Sequence, residues 1–420
     1  MELRWRLRRI HLLFRRLASS IALRGWTGTL RHIRRSKDAF DETTSRTAVL
    51  RPPAEGFAPR RALVIDSLPP DATRDSGSMR LIQMLRLLNG SGWRIDFIAD
   101  DGHATPSAET RLAELGVRLV RESPLRWLAQ QGNAINAVML CRLPVADQYL
   151  DIVRHRAPAA RIIFDTVDLH FIRERRAAEI TGAQALLRQA NRSRRRELAM
   201  VEACDITLVV SDDERLILER EAPTAHVEVV SNIHEAHGRD QGYHGRSGLL
   251  FVGGFGHPPN GDAVRWFIAD VLPLLREKDP SIILHVAGDI DEESRRSIEH
   301  PGVIVHGRVA DLRPLLASSL VSVAPLRFGA GVKGKVNQAM SHGLPVVLTE
   351  IAAEGMHLND GKEALVANTP SAMADAILRL HRDESLWMAL SEAGLENVRQ
   401  HFSVERAGVA LSRAMEHPFE

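Results

Sequence analysis

The chain has 420 residues, enough for two domains that each bury a core, and its hydrophobic and charged fractions of 44% and 26% exclude a disordered or low-complexity protein. The net charge of +2 hides an asymmetry, because residues 1–61 hold 15 Lys and Arg against 5 Asp and Glu while the rest hold 40 against 48. A body this acidic, without a recognised nucleic-acid module, is not expected to take nucleic acid as a partner; the two cysteines, Cys141 and Cys204, each in or beside an apolar run, predict free thiols in a reducing cytoplasm rather than a disulfide or metal site.

Residues 1–60 read as a basic helical arm and linker. Trp5, Ile10, Leu13, Phe14, Leu17 and Ile21 recur at helical spacing, and Arg4, Arg8, Arg9, Arg15 and Arg16 break every apolar run. That is too charged to span a bilayer or to serve as a cleaved signal peptide. Residues 1–37 are a candidate for resting on an anionic membrane surface, against the alternative of a helix packed on the body of the protein. The polar, proline-bearing stretch 38–60 reads as the linker.

Residues 61–235 alternate strand-like and helical segments: RALVID, WRIDFIAD, VRLVRE, AVMLCRL, RIIFDTVD and ITLVVS are short apolar runs separated by amphipathic stretches. HVEVVSNIHEAHGRDQGYHGRSG, from His226, reads as the interdomain connection. Residues 246–400 repeat the scheme with LLFVGG, IILHVAGD, VIVHG, SLVSVAPL and LPVVLTE, and residues 401–420 as a closing helix. Such alternation predicts parallel sheets covered by helices on both faces, an α/β fold of two doubly wound, Rossmann-like domains.

The densest chemistry lies in GAGVKGKVNQAMSHGLPVV, from Gly329. Gly329, Gly331 and Gly334 let backbone N–H groups converge on an anion, Lys333 and Lys335 add charge, and the helix predicted over Val336 to His342 adds its N-terminal dipole. Gly329 to Lys335 also fits GxxxxGK, but Val336 stands where a P-loop needs Ser or Thr; it fits GxGxxG as well, though too late in its domain for a dinucleotide site.

LLFVGGFGHPPNGDAVRWF, LHVAGD, VIVHGRVADLRPLL and VAPLRFGAGVKGKVNQAMSHGLPVVLTEIAAEGM, in that order, resemble the donor-binding half of glycosyltransferase family 4, a retaining bacterial family of GT-B fold. The resemblance implies two domains facing across a cleft, a closing helix that packs back toward the first domain, and a nucleotide-diphosphate sugar as co-substrate, with no cofactor and no metal. It implies a glycan or lipid-linked glycan acceptor and a surface-polysaccharide role, and the basic arm with the free cysteines adds the expectation of a cytoplasmic place, peripheral on the inner membrane. A nucleotide-sugar epimerase of similar shape and a non-catalytic binding protein are the alternatives.

Ligands of open parallel sheets collect beyond the carboxyl ends of the strands, which selects five loops. The first holds Asp75, Ser76, Gly77 and Arg80, expected on the acceptor or sugar side, with Asp75 or Ser76 as helix cap otherwise. The second holds Asp168 and His170, where the resemblance places a histidine near the transferred sugar. The third holds Gly253 and Gly254, with His257 and Asn260 where many relatives carry Arg and Lys. The fourth holds Arg308 and Val309, expected at the nucleobase. The fifth is the glycine loop with Arg327, Gly329, Ala330, Gly331, Val332, Lys333, Lys335 and Gln338. Relatives carry two glutamates at the positions of Ala330 and Gln338, so contacts to the sugar and the ribose are expected in altered form. His170 and Lys333 are the expected catalytic residues.

Overall fold

The computed structural model describes residues 60–72, 75–100 and 105–416; the basic arm, and the membrane contact expected of it, lie outside them. Two parallel sheets organise the described chain. The first contains β1 (Arg61–Asp66), β2 (Arg94–Ala99), β3 (Val117–Leu119), β4 (Ala137–Cys141), β5 (Arg161–Asp165), β6 (Ile206–Val209) and β7 (Val227–Val229), in spatial order 3-2-1-4-5-6-7. The second contains β8 (Leu249–Val252), β9 (Leu284–Ala287), β10 (Val303–Gly307), β11 (Val321–Ala324), β12 (Val346–Leu348) and β13 (Leu365–Val366), in order 10-9-8-11-12-13.

Central strands such as β4, AVMLC, are uninterrupted apolar runs buried at every residue, as a sheet covered on both faces requires. β7 falls inside the segment read as interdomain connection, and β13 was not anticipated. Both are short edge strands, three half-buried residues and two residues respectively, too brief for hydrophobic alternation to mark them.

One face of the first sheet is covered by Leu81, Met84 and Leu85 of the helix Ser76–Gly90, together with Leu411, Ala414 and Met415 of the last helix, Val404–Glu416. The last described helix therefore packs on the first domain. The other face is covered by Tyr149 and Val153 of Leu143–Arg156, Val201 of Gln184–Ala203 and Leu218 of Asp212–Glu221. The second core surrounds Phe251, Phe267 and Trp387, and it includes Val210 from just past β6, so apolar packing continues across the domain boundary.

Arg246 ends the connection: its buried guanidinium donates to the carbonyls of Leu316 (2.7 Å), Ser319 (3.0 Å) and Gln241 (2.8 Å) and lies over the Trp387 ring. Cys141 is buried, Cys204 half-buried, and both are free. Among the described residues no helix is long and apolar enough to cross a membrane.

Strand order reverses between β1 and β4 in one sheet and between β8 and β11 in the other. These are the switch points where the two connecting loops diverge and leave a crevice. The loops that follow β1, β5 and β6 touch those that follow β11 and β12, so the carboxyl ends of the two sheets face each other.

Candidate active site

The glycine loop leaves β11 and turns twice through conformations that L side chains rarely adopt, at Gly329 (φ 152°) and Gly331 (φ 69°). It ends at Lys333, the residue before the helix Gly334–Ser341, whose first free N–H groups therefore open onto the crevice. Asn232 of the connection steadies this helix start, its amide donating to Asn337 Oδ1 (3.1 Å) and Val332 O (3.4 Å).

Lys333 is buried and its Nζ donates to Gly331 O. Lys335 Nζ donates to Asn260 Oδ1 and sits 4.3 Å from the centroid of the Phe251 ring. Burial pushes the Lys333 ammonium down to about 8, against the pull of Glu354. Burial, with the Lys333 charge added, pushes Lys335 down to about 7. Two desolvated ammonium groups at a helix N-terminus, neither in an ion pair among the described residues, form a site that a diphosphate would complete.

The first domain supplies an acidic counterpart. Past β5 the chain passes through Val167 at φ 64°, an outlier for a β-branched residue of the kind that costs about 1–3 kcal/mol and collects at functional sites. Val167 is seated on Gly77, where an added Cβ would stand 2.8 Å from Val167 Cγ1. Asp168 follows, bonded to Arg173 Nη1, with His170 Nδ1 3.4 Å from its Oδ1. Burial raises its pKa, but Arg173 and His170 outweigh that and hold it at about 2.

Two buried glutamates brace the same turn. Glu214 accepts from the N–H groups of Leu169 (3.2 Å) and Val210 (3.2 Å), and burial, reinforced by the charge of Asp168, pushes it up to about 7. Glu197 accepts from the N–H groups of His170 and Phe171, both at 3.1 Å. Arg142, at φ 74° past β4, reaches Asp66 Oδ1 at 3.0 Å beyond β1. Its guanidinium is held charged: burial opposes this, and Asp66 with Asp75 prevails.

Contacts between the domains are close. An added Cβ on Gly331 would lie 3.2 Å from Asp168 Cβ, and one on Gly334 2.5 Å from Ser76 Cβ. Arg176 crosses the boundary to hold Glu354 with both nitrogens (2.5 and 2.7 Å) and to donate to Gly329 O (2.7 Å). Only a gap of ≈ 10 Å³, about one water's room, remains there, bordered among others by Ile172, Arg176, Glu214, Ala330, Gly331 and Glu354.

Of the residues expected at the site, Asp168 and Ser76 meet the glycine loop and the helix start across the boundary, Gly329 O accepts from Arg176, Ala330 and Gly331 border the gap, Lys333 and Lys335 flank Gly334 with Lys335 against Gly253, and Gly77 and His170 stand beside Val167 and Asp168 on the first domain. Gly254 accepts Asn260 Nδ2 at 2.8 Å, and Val332 is buried in the second core. Gln338 is half-buried on the helix Gly334–Ser341. Asp75 caps the helix Ser76–Gly90, accepting from Ser78 N at 2.7 Å. Arg308 lies exposed at the rim, 3.5 Å from Asp71, with Val309 half-buried beside it.

Two expected residues are committed elsewhere. Arg327 pairs with Asp262, Nε to Oδ2 at 2.8 Å. Arg80 is not in the cleft: it is enclosed at 1% exposure, with both Asp165 oxygens at 2.8 Å and Val230 O also at 2.8 Å. Its position one turn into the helix faces the sheet, and the acid at the end of β5 draws it inward. Arg142, Arg176, Glu197, Glu214 and Asn232 were missed, since they belong to no glycine pattern and, Val210 beside Glu214 apart, the partners named for them are 26 to 178 residues away in sequence.

Two Rossmann-like domains with the carboxyl ends of their sheets opposed, one end cationic and glycine-rich, define a protein of GT-B fold. Solved structures share it: sucrose-phosphate synthase from Thermosynechococcus elongatus (14% identity, 84% of this chain and 98% of that one, TM-score 0.66) and HepE of Anabaena in complex with UDP and glucose (14%, 85% and 99%, TM-score 0.65). Residues 246–383 match the family described as "Glycosyl transferases group 1". A curated relative, an uncharacterized 44.6 kDa protein in the cps region of Klebsiella pneumoniae, is 30% identical over 146 residues, 33% of this chain and 38% of that protein's length. The family match thus covers the second domain, a third of the chain, and the chain spans about two fifths of the length of the curated relative it matches.

Proposed function

We propose that the protein transfers a sugar from a nucleotide-diphosphate donor to a hydroxyl of a glycan or lipid-linked glycan acceptor, with retention at the anomeric carbon, in the assembly of a bacterial surface polysaccharide. The observation that carries this reading is the pair of desolvated lysines beside the glycine loop, at the N-terminus of Gly334–Ser341 and opposite Asp168 and His170. The Klebsiella relative's origin in a cps region supports the polysaccharide context. UDP is the first nucleotide to try, because HepE was solved with UDP and glucose and pneumococcal GtfA with UDP and GlcNAc.

In this reaction the bond between the anomeric carbon and the phosphate oxygen breaks, and Lys333, Lys335 and the helix N–H groups stabilise the charge left on the diphosphate. The acceptor oxygen attacks from the same face, and its proton passes to the departing phosphate oxygen. His170 and Asp168 border the sugar. Because the domains touch at Gly334 and Ser76, donor entry requires them to part, and closure then excludes water, the competing acceptor. Activity at the cytoplasmic side of the inner membrane is part of the same proposal.

Calorimetry with UDP, GDP and dTDP tests it. One of them is expected to bind in the micromolar range, about −8 kcal/mol, and Lys333→Ala to weaken it by about 1.5–3 kcal/mol. Binding of none of them, or equal binding to both proteins, would overturn the assignment.

A further inference from the structure

We propose that Glu197 is a positioning residue for His170, fixing the ring so that Nδ1 carries a proton and Nε2 stands as a bare acceptor for a hydroxyl of the transferred sugar. The sugar's part in this rests on the transferase reading above; the state of the ring does not.

Leu169, the residue that precedes the helix His170–Thr181, has no side-chain oxygen with which to cap it. Glu197 takes that role from another helix, with a side chain that is 0% exposed. Its two oxygens accept from the N–H groups of His170 and Phe171, both at 3.1 Å, which leaves a buried carboxylate bonded at both ends. The oxygen that holds His170 N–H also lies 3.5 Å from His170 Nδ1.

The other neighbours of Nδ1 are Asp168 O at 3.3 Å and Asp168 Oδ1 at 3.4 Å. All three oxygens accept, so a lone pair on Nδ1 would face only lone pairs, and a proton there is favoured in the neutral and the charged ring alike. Nε2 has no partner among the described residues, and the side chain keeps 15% of its surface exposed. The turn rests on the glycine loop, with Asp168 Cβ 3.2 Å from the place a Cβ on Gly331 would take.

Other charges act on this ring through Asp168. Arg173 bonds that carboxylate, while Arg142 and His257 act on it from other elements. Glu214 meets it through Leu169 N–H, and Lys333 faces it from the second domain. None of these supplies a donor to Nδ1. Glu197 differs from them in holding the backbone of His170 and facing its ring at once.

Nitrogen NMR of the full chain with ¹⁵N-labelled histidine, without donor, reads the tautomer directly, and the His170 signals are assigned by their loss in His170→Ala. A pyrrole-type Nδ1 and a pyridine-type Nε2 are expected in the wild type, and a mixture of tautomers in Glu197→Gln. The reverse tautomer in the wild type, or an unchanged spectrum in Glu197→Gln, overturns the proposal. Should Glu197→Gln not fold, the reverse tautomer in the wild type still overturns the proposal.

Kinetics then separate positioning from mere support of the helix. Glu197→Gln is expected to lower kcat about tenfold or more while UDP binds as before, Glu197→Asp to restore part of the loss, and Glu197→Gln to cost less than about twofold in a His170→Ala background. Losses that multiply in the double variant count against the proposal. Absence of transfer by the wild type would refute the transferase reading and leave the spectroscopic result standing.

Discussion

The strand ends of the first sheet are lined with acids and those of the second with ammonium groups, and the two sets are arranged in different ways. Asp66, Asp165, Glu197 and Glu214 are all buried, and each is used by the protein itself, on Arg142, on Arg80 and on backbone N–H groups. Lys333 and Lys335 are matched only to a carbonyl and an amide oxygen. The first side is a finished framework that aims a few groups. The second holds two desolvated lysines that no carboxylate pairs with among the described residues, the feature on which the proposed diphosphate site rests.

The largest effect that separates the two sides is expected at Arg80. With Arg80 and Asp165 each 1% exposed, Arg80→Met leaves a buried carboxylate without its partner and should cost about 3–5 kcal/mol of stability. Denaturant unfolding measures this, and calorimetry should find UDP affinity unchanged in the folded variant. A variant of wild-type stability, or one with weakened UDP binding, would break the division between framework and site.

Next comes the seam itself. Gly334→Ala puts a methyl group 2.5 Å from Ser76 Cβ, where the nearest atoms belong to a helix start that cannot give way as a flexible side chain would. The domains should stay folded and UDP should still bind, while misplacement of the two sides costs about a hundredfold in kcat. Unimpaired transfer would mean that the reactive state does not bring Ser76 and Gly334 together.

Protons offer a third test. A bound diphosphate favours the charged form of both lysines, so binding takes up protons, and affinity should fall as pH rises through 7–8 and beyond, by up to about tenfold per pH unit for each proton taken up. Folding has the opposite slope. The unfolded lysines titrate near 10.5, so the unfolded chain binds more protons above pH 7, and this contribution to stability rises with pH over the window in which binding weakens. UDP titrations in buffers of different ionisation enthalpy measure the uptake, and a flat affinity between pH 7.5 and 9.5 would exclude the two lysines as the phosphate contacts.

The same contrast sets how much could be read in advance. Eleven of the thirteen strands among the described residues were legible because parallel strands buried on both faces are plain apolar runs, and the glycine loop because glycine at positive φ and lysine before a helix leave a local signature. The first-domain framework leaves none. Glu197 sits in the arginine-rich run RSRRRELAM, where any reading of charge makes it a solvated residue; only the fold brings it beneath His170, 27 residues earlier. Arg176 and Glu354, 178 residues apart, meet only once both domains exist. Arg80 misled for the same reason: its place in the chain pointed to the cleft, while Asp165 was out of sight 85 residues on.

The smallest effect addresses one of the places where the cationic side departs from the family pattern it resembles. Gln338 is half-buried on the helix that starts at the glycine loop, where the family pattern has a glutamate expected to bind both ribose hydroxyls. An amide oxygen can accept from those hydroxyls, but its nitrogen can only donate, so one of the two hydrogen bonds must be made differently. Gln338→Glu should therefore strengthen UDP binding by about 1 kcal/mol, near the net value of one hydrogen bond. The gain should vanish with 2′-deoxy-UDP, which lacks one of the hydroxyls. Equal gains for both nucleotides would trace the effect to added charge beside Lys335 rather than to the ribose, and weaker binding of UDP would mean that the amide's donor is itself in use.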